Sequence, residues 1–135
     1  MLMSESIPER PKPAGCKRSA CGVASTLDLL GDKWTLLVVR DLLLGKQTYS
    51  EFQKSPEGIP TNILAERLKR LQQAGIIEKT QYQERPVRYA YTLTDKGRDL
   101  GPVLRSMVTW ANRYIPGTFT LQEVDEMIER GRQSR

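Results

Sequence analysis

Apolar residues recur along most of this chain with the period of a helix. In "IPTNILAERLKRLQQAGII", Leu64, Leu68 and Leu71 stand at i, i+4 and i+7, one face at 3.6 residues per turn. Asn62, Glu66, Lys69 and Gln73 lie roughly opposite that stripe, and Arg67 and Arg70 flank it. Pro60 is suited to open this helix and Gly75 to stop it. Shorter helical patterns precede it. One runs from Val23 to Leu30, with Leu27 and Leu30 inward. A second, from about Asp32 to Leu44, is apolar on most sides and so central, with Asp32 as its cap and Gly45 just past its end. A third opens in "TYSEF", where Tyr49 and Phe52 are spaced to face the core.

Beyond Gly75 the period drops to two. "IIEKTQYQ" and "VRYAYTLT" read as strands joined at Glu84-Arg85-Pro86, with Val87, Tyr89, Tyr91 and Leu93 on one face and Arg88 on the other. Thr94 then caps a long helix through "DKGRDLGPVLRSMVTWANRYI". Its apolar side is Leu100, Leu104, Met107, Val108, Ala111, Tyr114 and Ile115, and Pro102 would kink its early turns. Thr120 and Glu123 make a capping box for a last helix carrying Leu121, Val124, Met127 and Ile128.

The predicted architecture is therefore mainly α with a small β-hairpin. Three helices, a two-stranded hairpin and a long helix form the order of a winged helix-turn-helix, in which the helix opening at Thr61 enters a major groove. Residues 1–14, with three prolines and scattered charge, are expected to be a flexible tail, 15–116 the winged helix-turn-helix with its long C-terminal dimerisation helix, and 117–135 a helical extension.

Composition sharpens this picture mainly by exclusion. The chain has 135 residues and no histidine, which removes His-dependent triads, imidazole bases and most transition-metal sites. Two cysteines, Cys16 and Cys21, are too few for a secreted disulfide framework, and no stretch reaches the roughly 18 apolar residues of a membrane span. A cytoplasmic protein with no cofactor, no metal and no catalytic residues is expected. "GKQT" at Gly45–Thr48 lacks the glycine-rich lead-in of a phosphate loop.

Charge changes the picture more. The net charge is +5, and between Lys46 and Arg98 ten basic residues face six acidic ones, so most of the surplus lies mid-chain. A basic segment is the footprint of a nucleic-acid surface, although a solvated basic face has the same composition. On the helix, Thr61 and Asn62 open the first turn. Asn62 has the chemistry to pair with adenine, Lys69 to reach guanine or a phosphate, and Glu66 to accept from a cytosine amino group. Ala65 is small enough to let the backbone approach, and Arg70 borders the same face. On the wing, Arg85 and Arg88 suit phosphate or minor-groove contact. Lys46, Thr48 and Ser50, at the entry to the third helix, are weaker candidates for backbone contacts.

Several of these motifs also carry a family likeness. "CGVASTLDLLGDKWTLLVVRDLLLGKQTYSEF", "GIPTNILAERLKRLQQAGII" and "VRYAYTLTDKG" follow one another in order, and the chain from about Cys21 to Tyr114 resembles the HxlR-type winged helix-turn-helix regulators of bacteria. The resemblance implies a homodimer, formed through the first helix and the long C-terminal helix, that binds a palindromic or near-palindromic DNA operator. It also sets Cys21 where several members carry a redox-sensing thiol. A thiol at a helix N-terminus, with Lys17 and Arg18 close in sequence, suits reaction with an oxidant. The plain alternative is a small interface residue, with Cys16 as a resolving partner only in the first case. Trp34, Trp110 and the tyrosines read as core and interface residues, and a small-molecule effector between the long helices is left unspecified. A winged-helix interaction module that never touches DNA is the rival reading. A thiol-dependent enzyme would lack a histidine to activate Cys21.

Overall fold

The computed structural model describes residues 6–12 and 18–134. Cys16, Lys17 and half of the expected tail lie outside the described residues. The chain divides into two compact units, meeting between Lys33 and Trp34.

The first unit carries α1 (Gly22–Leu30). Cys21 is its N-cap residue, with extended backbone and no side-chain cap; Cys21 N–H donates to Ser19 Oγ at 3.2 Å. Leu30 is buried, but Leu27 is 54% exposed, so only one of the two leucines expected inward is covered.

The second unit opens with α2 (Thr35–Leu43), three residues later than Asp32 would have placed it. Trp34 is its N-cap residue, and no side chain caps it. Gly45 follows at φ +100°, the left-handed conformation that releases the chain from the helix without a Cβ clash. In α3 (Tyr49–Gln53), Thr48 and Glu51 form a full capping box, and Phe52 is buried while Tyr49 stays half-exposed. The turn after it uses Gly58 at φ +70°, and Pro60 leads into α4 (Thr61–Gln73).

Leu64, Leu68 and Leu71 are buried as their spacing requires. With Val38, Val39, Phe52, Ile76 and Ile77 they form the core, where α2 packs on α4, on the strand Val87–Leu93 and on the helix Gly101–Tyr114. Burying a leucine fully contributes about 1.5–3 kcal/mol, so this row is what seats α4.

β1 (Ile77–Glu84) and β2 (Val87–Leu93) form an antiparallel hairpin whose register runs from Ile77–Leu93 to Glu84–Val87, with a bulge between Gln81 and Gln83. The Arg85–Pro86 peptide at its tip is cis. The alternation holds only near the base. Tyr91 and Leu93 are half-buried, whereas Tyr89 and Val87 are exposed, because the hairpin runs out past the body that would cover them.

The long helix expected after Thr94 is two. Thr94 caps α5 (Asp95–Arg98), the chain breaks at Asp99 and Leu100, and α6 (Gly101–Tyr114) starts afresh with Pro102 in its first turn. Proline has no N–H to donate and its ring crowds the carbonyl four residues back, so it begins a helix here instead of bending one. None of the α6 residues is buried. The last helix, α7 (Leu121–Gln133), has the Thr120–Glu123 capping box the sequence predicts and packs on α6. Among the described residues no helix is long and apolar enough to cross a membrane.

Candidate nucleic-acid interface

With its leucine row sealed against the core, α4 has only one face left to present. Thr61, Asn62, Ala65, Glu66 and Lys69 are all exposed, and Arg70 is half-buried beside them. The start of the helix is fixed from α3. Tyr49 donates its hydroxyl to the Thr61 carbonyl at 2.7 Å, and Gln53 Nε2 approaches Thr61 Oγ1 at 3.4 Å. Glu66 does not stand alone. Its carboxylate pairs with Arg67 and, across one turn, with Arg70 at 3.3 Å. Two guanidinium groups thus offset the one acid of the row, and the face as a whole does not repel phosphate.

The wing brings a second set. Arg85 and Arg88 are exposed, and neither guanidinium has a hydrogen bond or ion pair among the described residues. Gln83 Nε2 donates to the Arg85 carbonyl at 3.3 Å, which stiffens the tip, and Lys79 sits 4.0 Å over the Tyr89 ring. The hairpin base is bolted to the end of α4. Thr94 Oγ1 donates to the Gly75 carbonyl at 2.6 Å, Thr94 N–H donates to Ile76 O at 3.0 Å, and Lys96 Nζ donates to Ala74 O at 2.7 Å. Gly97 is buried against the Ile76 carbonyl, where a Cβ would collide. Sequence reading gave Thr94 only a capping role, and nothing local in the sequence marks Lys96 as a cap for a helix twenty residues back.

Of the candidates at the entry to α3, Ser50 is exposed and Thr48 is occupied by the capping box. Lys46 turns inward: its ammonium donates to Ser55 Oγ at 2.6 Å and lies 4.0 Å from Asp41. It belongs to an ionic cluster that spacing in the sequence does not reveal. Arg40 bridges buried Asp41, at 2.9 Å, and Glu57, at 2.7 Å, so the turn before α4 is pinned to α2. Donating to the Glu57 carboxylate raises the affinity of Arg40 for its proton against the opposing effect of burial, and the same bonds hold the Glu57 carboxyl below its ordinary value. The available signal was an Arg-Asp pair inside an otherwise apolar helix; its partners fourteen and more residues on gave no local cue.

Two further features concern α1 and α6. Cys21 is a half-buried free thiol. Arg18, expected near it, pairs instead with Asp28 at 2.6 Å and donates to Ala24 O. On α6, Val103, Met107, Trp110 and Tyr114 are each 44% exposed or more and repeat at i, i+4, i+7 and i+11. That is a continuous apolar stripe left exposed among the described residues.

Residues 29–119 match the model of the HxlR-like helix-turn-helix family. The HTH-type transcriptional regulator YvaP of Bacillus subtilis is 38% identical over 93 residues, which cover 69% of this chain and 86% of that protein. Among solved structures, the reduced form of the transcriptional regulator YodB from B. subtilis superposes with a TM-score of 0.60 at 35% identity, covering 73% of this chain and 98% of that one. The redox regulator HypR in its oxidised form gives 0.63 at 31% identity, covering 69% and 96%.

Proposed function

The chain belongs to the HxlR-like helix-turn-helix family, and from that premise we propose that it binds double-stranded DNA as a homodimer, reads a palindromic or near-palindromic operator, and represses transcription by occluding a promoter. The observation that carries this reading is the α4 face. A row of side chains able to hydrogen-bond base edges stands outward on a helix whose other side is sealed by three buried leucines. Asn62, Glu66 and Lys69 would meet bases, Ala65 would allow close approach, and Thr61, Arg70, Arg85 and Arg88 would meet phosphate or the minor groove. Ser50 fits a backbone contact. Lys46 supports the surface from behind through Ser55 and Asp41.

The exposed stripe on α6 supports the homodimer. Four large apolar residues on one helix face are unfavourable in water and self-complementary about a two-fold axis. Two copies of α4 would then sit about 34 Å apart, one turn of duplex.

A thiol-dependent response would run through Cys21. Two structural neighbours are a redox regulator and a regulator described in its reduced form, and Cys21 heads α1 as a half-buried free thiol.

Fluorescence anisotropy of the full chain tests all of this, with duplex from its own upstream region against random duplex, across salt and in reduced and oxidised protein. Tight, salt-dependent binding that prefers the upstream duplex is expected. Absence of binding at low salt would overturn the reading in favour of a protein-interaction module. Equal binding to both duplexes would overturn operator recognition.

A further inference from the structure

α7 lies beyond the residues that match the family model, which end at residue 119. It is fastened at two places. Near its start Asp125 pairs with Arg105 of α6. Six residues further, roughly 9 Å along the helix axis, Gly131 meets the turn that follows α2. A Cβ at Gly131 would fall inside contact distance of the Leu44 carbonyl oxygen, and a Cβ at Gly45 would stand 3.1 Å from the Gly131 carbonyl. Backbone meets backbone there, Gly131 against Leu44 and Gly45. Gly131 sits within a helix, where glycine is costlier than alanine, so the close approach is the physical reason for it.

The turn that Gly131 touches is the root of the candidate reading surface. Gly45 N–H donates to Leu42 O and Lys46 N–H to Asp41 O, and the Gln47 carbonyl accepts from Tyr91 of the wing at 2.8 Å. Thr48 then caps α3, and α3 holds the start of α4 through Tyr49. We propose that α7 is a strap that positions the helix-turn-helix relative to α6, with Gly131 as its positioning residue. A displacement of α6 reaches the α2–α3 turn through Asp125 and Gly131. The functional consequence of this strap rests on the DNA-binding reading above.

The test uses the full chain with Gly131→Ala, Asp125→Asn and the double variant, followed by amide hydrogen exchange without DNA and by operator anisotropy. Gly131→Ala should raise exchange at Gly45 and Lys46 on the order of tenfold and weaken operator binding with no change in salt slope, since no phosphate contact is lost. Asp125→Asn touches neither glycine, and its pair is solvent-exposed, so it tests the strap even if Gly131→Ala fails to fold. It should raise exchange at the same two amides. The double variant should show less than the sum of the two effects, as residues acting in one chain of contacts do. Unchanged exchange at Gly45 and Lys46 in Asp125→Asn would overturn the strap. If wild type binds no operator yet the exchange coupling is present, the strap stands and the DNA-binding reading falls. If wild type binds and neither variant moves exchange or affinity, the strap alone falls.

Discussion

The Tyr49 hydroxyl donates to the Thr61 carbonyl at 2.7 Å, across the turn that separates α3 from α4. That hydroxyl is one of two α3 groups, with Gln53 Nε2, that reach the first residue of α4. Tyr49→Phe keeps the ring and removes only that donor. It should cost about 0.5–1.5 kcal/mol of stability and weaken operator binding without altering base preference. Urea denaturation beside anisotropy separates the two effects, and an undiminished affinity would show that the tie is dispensable for recognition.

Asn62 stands exposed in the first turn of α4. Asn62→Ala should cost about 1–3 kcal/mol on the operator, the usual worth of a bidentate base contact, and almost nothing on random duplex. Equal losses on both DNAs would remove Asn62 from the base-reading set.

Arg88 stands outward on β2 with no partner of its own among the described residues. Arg88→Ala should lower affinity about equally on all sequences and reduce the salt slope by about 1. A slope identical to wild type would place this guanidinium away from phosphate.

The Arg40 cluster makes a pH prediction. Hydrogen bonding from Arg40 holds the Glu57 carboxyl below its ordinary value of 4.5, with burial acting the other way. A carboxyl depressed in the folded state stabilises the fold above its unfolded value, and that contribution is lost as pH falls below 4.5 through the folded value. Arg40→Gln should therefore flatten the acid side of the stability profile. It should also cost about 1.5–3 kcal/mol near neutrality, the worth of a hydrogen bond to a charged group, since Asp41, with 5% of its side chain exposed, loses one charged partner and keeps Lys46 and Ser55. Thermal melts from pH 3 to 7 would reveal both effects, and an unchanged acid limb would contradict the assignment.

Cys21 heads α1 as a half-buried free thiol. If it carries an oxidant response, Cys21→Ser should bind operator as wild type does when reduced and stay bound under an oxidant that releases wild type. Release of both proteins would move the response elsewhere.

α4 was legible because its information is local. The leucine row, the polar row opposite, and Gly75 at φ +74° all lie within one short stretch. The Thr94 and Thr120 caps were legible for the same reason. What escaped was non-local or hidden by continuity. Apolar spacing runs unbroken across Leu100, so the break between α5 and α6 left no trace in the pattern, and Pro102 was consistent with a kink as well as a start. Periodicity marked Met107 and Tyr114 as apolar-face residues but does not say what covers such a face; both are half exposed or more. Lys46 carried the right charge for a backbone contact, yet its direction is set by Asp41 and Ser55, which sequence spacing does not bring together.

Thr94 and Lys96 clamp the base of the wing to the three residues that follow α4, Ala74, Gly75 and Ile76. Two probes joined at a common root behave as a caliper, because neither can tilt to suit its own groove without carrying the other. Such a reader would measure the offset between a major groove and the minor groove beside it. Overwound or underwound duplex of the correct sequence would then be penalised at both probes together, and the torsional state of the promoter would become an input to its own regulation.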